Sequence, residues 1–449
     1  MADSSARVAR GSLLGLSGYH WLVIAAGWAG WGFDVFDALL FNFVSPNCIP
    51  VLLHLARGSS EAREAVVFWT GALTSLLLIG WAVGGLLFGW LADRLGRKRA
   101  LFVTILMYAL GTALCALAMN IWQLVCFRLI ASLGIGGEWA IGATLIAESV
   151  PESRRVESGV IMYTSSPVGI ALASVLNYLI AGVWFAGEPE TSWRYVFLAG
   201  LAPVLVALLV RLFLHESEGW QQPSGAAQQP RPRELFQPAM RRITLSGFIP
   251  CVAALLAWWA CNAFIPLLGG TLATEHAARV GLPALQTGVL AEAWKARASN
   301  LFNAGGLIGA LAAIPLARCM GRRPMLVAYF AFSAAALAIT FGLNLAPGTR
   351  LALLLPVGAG IYGIFAVFSF YLPELFPARL RATGAGFCYN IGRVFAAGGP
   401  FVVGVITAST GGNSSVIIQT LLWVALIPLA AALATQLFVI ETRGRRLPT

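Results

Sequence analysis

Long apolar stretches recur along this chain and are separated by short polar segments. Each stretch holds about twenty residues, the length that an α-helix needs to cross the hydrocarbon core of a bilayer. The pattern therefore predicts about twelve transmembrane helices. Their spans lie near residues 20–44, 67–91, 100–119, 121–148, 157–182, 193–214, 243–268, 298–317, 324–345, 350–372, 382–407 and 415–440.

The overall composition agrees with this pattern. Hydrophobic residues make up 58% of the chain, charged residues make up 11%, and the mean hydropathy is +0.78. A soluble domain typically carries about 25% charged residues, so most of this chain cannot face water. We therefore expect a polytopic α-helical membrane protein.

The net charge of +11 is distributed unevenly between the two sides of the predicted membrane. If the N-terminus is cytoplasmic, roughly 21 of the 30 Lys and Arg residues fall on cytoplasmic segments and about seven on external ones. Such a bias sets the orientation of membrane proteins. We expect both termini in the cytoplasm of a bacterium-like cell, a location in the inner (plasma) membrane, and no nucleic acid as a partner.

Two polar motifs occur once in each half of the chain. GWLADRLGRKR (89–99) corresponds to IPLARCMGRRP (314–324), and ESVPESRR (148–155) corresponds to ELFPARLR (374–381). The first pair is offset by 321 − 96 = 225 residues and the second by 374 − 148 = 226 residues. Two independent motifs at nearly one offset predict an internal duplication, with a substrate site at the interface of the two halves.

The longest polar segment divides the predicted spans six and six. It covers residues 215–242 and is rich in Gln, Pro, Ser and Arg, a composition typical of a linker. We predict an all-α membrane fold with an N-terminal six-helix bundle (1–214), a cytoplasmic linker (215–242) and a C-terminal six-helix bundle (243–449). The two bundles are expected to be related by a pseudo-two-fold axis.

The motif GWLADRLGRKR resembles the loop signature of the major facilitator superfamily of transporters, and the resemblance covers essentially the whole chain. The resemblance implies that the Asp meets a helix N-terminus across the seam between the bundles, where the helix dipole favours a negative charge. Arg318 stands where the second copy would carry this Asp, so we assign no latch role to it. The residues expected in cytoplasmic gating are Gly89, Asp93, Gly96, Arg97, Lys98, Glu148, Arg155, Glu374 and Arg381.

Within that superfamily, four stretches resemble the proton symporters of organic acids, namely the aromatic-acid and sialate groups. The first, DVFDALLFNFVSP (34–46), resembles their D-G-x-D motif, with Val35 in place of the usual Gly. The other three are LGIGGEWAIGATLIAESVPESRR (133–155), WRYVFLAGLAP (193–203) and GAGFCYNIGRVFAAGGP (384–400). The resemblance implies a small carboxylate as substrate without identifying it.

Asp34 and Asp37 lie within the first predicted span, where an ionised side chain is costly and indicates a function. At positions i and i+3 they share one helix face and can both look into a polar cavity. Burial and the nearness of a second carboxylate favour proton binding by one of them. We expect at least one to couple transport to protons; the alternative is a structural pairing.

Arg128 and Glu138 both lie in the fourth predicted span. Arg128 keeps its charge and needs an anion, and the resemblance to sugar porters implies a pairing with a first-helix Asp. This pairing is either part of the coupling cycle or a permanent ion pair. Glu138 lies about 15 Å further along the helix, too far to contact Arg128 directly. It is expected to join an inner charge network with Arg97, Arg154 or Arg155, in a structural role or, as a coupling residue, in a proton relay.

Arg393 falls near the middle of the eleventh span, and Tyr389 and Asn390 precede it by four and three positions on the same helix face. A guanidinium beside an amide and a phenol suits a carboxylate, which Arg can bind through two parallel hydrogen bonds. The alternative is a salt bridge to a fixed acid such as Glu138.

Asn300 and Asn303 open the eighth predicted span, with Lys295 and Arg297 just outside it. We expect the two amides to face a polar substrate, although bridging between helices is the alternative. Trp258 and Trp259 could stack on an aromatic substrate, but packing is the role assigned to them. Several glycines also indicate close helix packing, namely Gly84, Gly85, Gly305, Gly306 and Gly309.

These features predict a secondary transporter that imports a small organic anion together with protons by alternating access. A sugar:proton symporter is the main alternative, followed by a drug:proton antiporter. A membrane enzyme would need a nucleophile–base pair or a metal cluster, and a sensor would need a signalling domain; neither is evident in the sequence. No cofactor other than the coupling proton is expected. The expected partners are the organic anion and the lipid bilayer. The protein is expected to be a monomer.

Overall fold

The computed structural model describes residues 16–95, 97–136, 150–151, 154–201, 205, 232–377, 380–409 and 413–443. Within these ranges the regular elements are helical. In the first half they are α1 (Gly18–Leu52), α2 (Ser60–Leu95), α3 (Arg97–Ala116), α4 (Ile121–Gly136), α5 (Arg155–Tyr163), α6 (Ser165–Asn177), a π-helical turn (Tyr178–Trp184) and α7 (Ser192–Ala199).

The second half begins with a short 3₁₀ helix (Pro232–Phe236). It continues with α8 (Pro238–Val280), α9 (Ala284–Cys319), α10 (Arg322–Gly342), α11 (Pro347–Ala352), α12 (Leu354–Leu375), α13 (Arg381–Ala396), α14 (Gly398–Ala408), α15 (Ser414–Val424) and α16 (Leu426–Phe438).

In the described ranges, nine helical segments are long and apolar enough to span a membrane, and two shorter apolar helices cover Val103–Ala116 and Ile121–Gly136. These segments confirm the prediction of a multi-pass helical membrane protein. Most of the sixth predicted span (193–214) lies outside the described residues, as do residues 215–231 of the predicted linker. The count of twelve helices and the symmetry of two bundles therefore stay predictions.

Four of the spans are interrupted where a proline removes a backbone donor. The helical segments α5, α11, α13 and α15 end at Tyr163, Ala352, Ala396 and Val424, and each is followed four residues later by a proline. Proline has no N–H to donate to the carbonyl of residue i−4, and its ring crowds that carbonyl. The paired segments α5–α6, α11–α12, α13–α14 and α15–α16 thus form single spans, each interrupted one turn before its proline.

The helix α9 is longer than the sequence predicts, and this difference matters for its charged residues. The predicted span begins at 298, whereas α9 begins at Ala284. Lys295 and Arg297 therefore lie within the helix that carries this span rather than before its start. Arg297 is an exposed residue of the helix, but Lys295 is only 2% exposed.

The two halves of the chain contact each other along several helix pairs. The helix α1 packs against α8, α2 packs against α13 and α14, and α6 packs against α9. Within the second half, α9 and α12 approach closely at Gly305 and Gly309, where an added Cβ would collide with the backbone carbonyls of Leu355 and Ala359. This contact confirms that these two glycines serve close helix packing.

The described residues of the repeated motif that contains Pro151 and Pro377 form the same backbone hydrogen bond in both copies. The backbone N–H of Arg154 donates to the carbonyl of Pro151, and that of Leu380 donates to the carbonyl of Pro377, both at 2.9 Å. In each copy a helix begins at the next residue, α5 in the first half and α13 in the second.

Candidate substrate site

A small cavity lies between the two halves of the chain. Its volume is about 10 Å³, which is room for about one water molecule. A substrate would therefore require the surrounding helices or side chains to move. The lining residues are Trp31, Val35, Trp81, Tyr163, Ser166, Leu255, Trp258, Trp259, Phe365, Tyr389 and Arg393.

Arg393 supplies the cation of this cavity. It lies on α13, is 2% exposed, and donates through a guanidinium N–H to the side-chain oxygen of Asn390 at 2.9 Å. Its Cζ lies 4.3 Å from the ring centre of Trp81 and 4.6 Å from that of Tyr389. A third ring, that of Trp31, lies 5.9 Å away. The structure thus brings together Arg393, Tyr389 and Asn390, and surrounds the guanidinium with aromatic rings at cation–π distances.

Asp34 is the acid associated with this cation. It lies on α1 and is fully buried, and its carboxylate interacts electrostatically with the guanidinium of Arg393. The alternative partner considered from the sequence, Glu138, lies outside the described residues. Because Asp34 belongs to the first half and Arg393 to the second, this interaction crosses the seam between the halves.

Asp37 is directed to different partners. Its carboxylate accepts a hydrogen bond of 2.7 Å from the hydroxyl of Thr112 on α3 and interacts electrostatically with Arg128 on α4. Arg128 also donates to the backbone carbonyl of Ala38 at 2.8 Å. The expectation that both acids look into one cavity differs from the structure. Neither acid is among the described residues that line the cavity, and Asp37 is held within the first half of the chain.

The two asparagines predicted to bind substrate do not line the cavity. The side-chain amide of Asn303 donates to the carbonyl of Ser299 at 2.8 Å, and its oxygen accepts from the hydroxyl of Tyr362 at 2.6 Å. Neither Asn303 nor Asn300 is among the described residues that line the cavity. In this conformation Asn303 supports Tyr362, whose ring packs 5.8 Å from that of Trp258.

Sequence reasoning missed most of the aromatic lining. Trp258 and Trp259 were assigned to packing, yet both line the cavity. The indole N–H groups of Trp81 and Trp259 are buried and have no hydrogen-bond partner within the described ranges. A signal was available for Trp31, which precedes Asp34 by three positions and so shares its helix face. The described lining of the cavity thus combines aromatic faces with indole donors and the guanidinium of Arg393.

The residues predicted for cytoplasmic gating are only partly described. Gly89 and Asp93 lie on α2, Arg97 and Lys98 open α3, and Arg155 and Arg381 open α5 and α13. The side chains of these residues lie outside what the structure describes, as do Gly96 and Glu148 entirely.

Glu374 is the described member of that set, and it contacts its own half of the chain. Its carboxylate accepts two hydrogen bonds from the guanidinium of Arg322, at 2.8 and 3.1 Å, and one from Thr442 at 2.6 Å. Arg318, to which no latch role was assigned, instead crosses the seam and pairs with Glu157 at 2.9 Å. The side chain of Arg318 is 66% exposed, so this pair is worth about 0–1 kcal/mol.

Comparison with known proteins gives consistent matches over most of the chain. Residues 48–234 match the family model "Sugar (and other) transporter". The chain is 30% identical over 392 residues to a protein named as a probable 4-methylmuconolactone transporter of Cupriavidus pinatubonensis, covering 86% of this chain and 83% of that protein. It is 26% identical over 424 residues to the gentisate transporter of Corynebacterium glutamicum, covering 90% and 86%.

Among solved structures, a D-xylose-proton symporter matches with a TM-score of 0.73 at 19% sequence identity. The match covers 96% of this chain and 100% of that one. At this identity the likeness shows the fold alone.

Proposed function

We propose a substrate class and a driving ion for this chain, which belongs to the major facilitator superfamily of membrane transporters. This membership confirms the prediction of a multi-pass transporter rather than an enzyme. We propose that the protein imports a small, flat organic anion with a carboxylate group, together with protons, across the inner membrane by alternating access. Both termini would then lie in the cytoplasm, as the distribution of Lys and Arg predicts.

The observation that carries this proposal is the position of Arg393 among aromatic rings in a buried cavity. A guanidinium binds a carboxylate through two parallel hydrogen bonds and keeps its charge throughout. The indole N–H groups of Trp81 and Trp259 offer further donors, and the ring faces suit a planar, conjugated substrate. A planar carboxylate would therefore accept hydrogen bonds from these donors and pack against the ring faces.

The names of two relatives support the same class of substrate. One relative is named for 4-methylmuconolactone and the other for gentisate, and both compounds are small organic acids. A sugar is the alternative, given the family model and the xylose symporter. However, the described lining of the cavity contains no carboxylate or amide side chain, and a sugar would need several such acceptors for its hydroxyl groups.

The electrostatic interaction between Asp34 and Arg393 supports the proposed proton coupling. With Asp34 ionised and the cavity empty, the two charges cancel. If Asp34 takes a proton, Arg393 is available to the substrate carboxylate, and the loaded site again carries no net charge. An apolar path favours a neutral site over a charged one. One proton per carboxylate would therefore cross through this site.

Ligand-induced stabilisation of the purified protein tests the substrate class. A ligand that binds the folded state increases the free energy of unfolding by RT ln(1 + [L]/Kd) and so raises the unfolding temperature. We expect gentisate and benzoate to stabilise the protein more than cyclohexanecarboxylate, which has the charge without the flat ring. Stabilisation by D-xylose alone would overturn the proposal in favour of the sugar alternative.

A further inference from the structure

A buried ion pair lies at the end of the bundle where α1 ends and α9 begins, here called the distal end. Glu292 and Lys295 are 6% and 2% exposed, and the Lys295 Nζ lies 2.6 Å from Glu292 Oε1. The two residues are three positions apart on α9, so they form a pair within one helix. The substrate site described above does not include them.

This pair connects the second half of the chain to two helices of the first. The side-chain amide of Asn47 on α1 donates to Glu292 Oε1 at 2.9 Å, and that of Asn177 at the end of α6 donates to Glu292 Oε2 at 2.7 Å. Lys295 donates to the carbonyl of Phe43 at 3.0 Å. These four side chains, Asn47, Asn177, Glu292 and Lys295, are called the distal cluster.

The distal cluster continues outward to the loop that follows α1. Arg57 in that loop donates to the side-chain oxygen of Asn47 at 2.7 Å. Both functional groups of Asn47 are thus engaged, one toward the buried carboxylate and one toward the surface. This continuity places the cluster between the surface at the distal end and the interior of the bundle.

The composition of the cluster favours a contact that can be broken and remade. Removing one partner of a buried ion pair leaves an uncompensated charge, which is strongly unfavourable. Here both charges belong to α9, so moving α9 away from α1 and α6 keeps the ion pair intact. Only neutral amides and a backbone carbonyl lose their partners, and water can replace those bonds.

We propose that the Glu292–Lys295 pair closes the distal end of the transport path by docking, as a neutral unit, onto Asn47 and Asn177. The pair separates from these amides when that end opens. This inference rests on the proposed alternating access, and in the proposed orientation the distal end is the external one. It assigns to the transport cycle two residues that lie outside the substrate cavity.

Hydrogen–deuterium exchange of the full chain in proteoliposomes, without substrate, tests this assignment. We expect Glu292→Gln to speed exchange in peptides at the distal end, such as 43–52 and 284–296. Exchange at the opposite end, in peptides 154–163 and 314–322, should slow, because opening one end closes the other. Simple destabilisation would speed exchange at both ends, so the opposite signs distinguish gating from a structural role.

Glu275→Gln provides a matched control at the same end. Glu275 accepts hydrogen bonds from the N–H and the hydroxyl of Ser414, at 3.1 and 2.6 Å, and both residues belong to the second half of the chain. We expect Glu275→Gln to change exchange only around Ser414. If both variants behave alike, or if Glu292→Gln speeds exchange at both ends, the assignment is overturned.

The double variant Glu292→Gln with Lys295→Met tests whether an unpaired lysine alone explains the effect. It removes both charges, so Asn47 and Asn177 still lack their carboxylate acceptor. We expect the distal end to remain open, whereas wild-type exchange would contradict the proposal. Since no substrate is present, the result is independent of which molecule the protein carries.

Discussion

The side-chain amide of Asn42 on α1 donates to the backbone carbonyl of Asn262 on α8 at 3.2 Å. Each asparagine is followed four residues later by a proline, Pro46 and Pro266, and proline cannot donate the helical hydrogen bond to residue i−4. The carbonyl of Asn262 is therefore free to accept a bond from the other half of the chain. A helix irregularity in one half thus becomes a contact point across the seam.

Replacing Asn42 with Leu should destabilise the protein by about 1–3 kcal/mol, because a buried carbonyl would lose its donor. Asn42 also accepts a hydrogen bond from Thr74, which would be lost as well. Thermal unfolding in detergent measures the effect. The exposed Asn344 provides a control, and Asn344→Ala should leave the unfolding temperature unchanged. An Asn42→Leu protein as stable as the wild type would show that the contact contributes little.

The two acids of α1 should respond differently to neutralisation. Asn mimics a protonated Asp, so Asp34→Asn should keep the exchange of substrate across proteoliposome membranes but abolish proton uptake driven by substrate. Asp37→Asn should retain proton uptake, because Asp37 interacts with Thr112 and Arg128 rather than with Arg393. Proton flux in Asp34→Asn at the wild-type rate would contradict this assignment. Loss of proton flux in Asp37→Asn but not in Asp34→Asn would show that the Asp37–Arg128 pair couples transport to protons.

Glu441, which lies outside the membrane spans, should make the stability of the protein depend on pH. Burial raises the pKa of its carboxyl, but hydrogen bonds from the backbone N–H groups of Arg443, Arg322 and Arg323 outweigh it, so the pKa lies below its ordinary value of 4.5. A depressed pKa stabilises the folded state above the unfolded value, and this stability is lost as the pH falls through the folded pKa.

Glu441→Gln should therefore lower the unfolding temperature at pH 7, and the difference from the wild type should shrink below about pH 4. The exposed Glu61 serves as the control, and Glu61→Gln should leave the unfolding temperature at pH 7 close to that of the wild type. If the difference in unfolding temperature between Glu441→Gln and the wild type stays constant down to the lowest pH measured, the charge of Glu441 is not what stabilises the start of α10.

Local sequence spacing predicted the parts of the site that lie on one helix. Tyr389, Asn390 and Arg393 meet because they are three and four positions apart on α13. The same spacing could not predict where Asp34 and Asp37 point. Those directions depend on which helices pack against each side of α1, and this is a property of the tertiary structure.

The distal cluster was missed for a different reason. A hydropathy pattern treats charged residues as the end of a span, so Lys295 was expected outside the membrane helix. The structure buries it because Glu292 neutralises it within one turn and the asparagines of other helices complete the hydrogen bonds. Such compensation involves residues that are more than a hundred positions apart in the sequence, and hydropathy cannot register it.

The central claim is that Arg393 binds the carboxylate of the substrate, and calorimetric titration of gentisate into purified variants tests it most directly. Hydrogen bonds to charged groups contribute about 1.5–3 kcal/mol each. Arg393→Lys, which keeps the charge but loses the planar fork, should therefore weaken binding by about 10- to 100-fold, and Arg393→Gln should weaken it more.

Arg350→Lys is the matched control for this titration. Arg350 is also a buried arginine of the second half, but it donates to the backbone carbonyls of Thr340 and Leu343 and does not line the cavity. We expect the Arg350→Lys variant to bind gentisate with the Kd of the wild type. If Arg393→Gln also binds gentisate with the wild-type Kd, Arg393 does not bind the substrate and the account is contradicted.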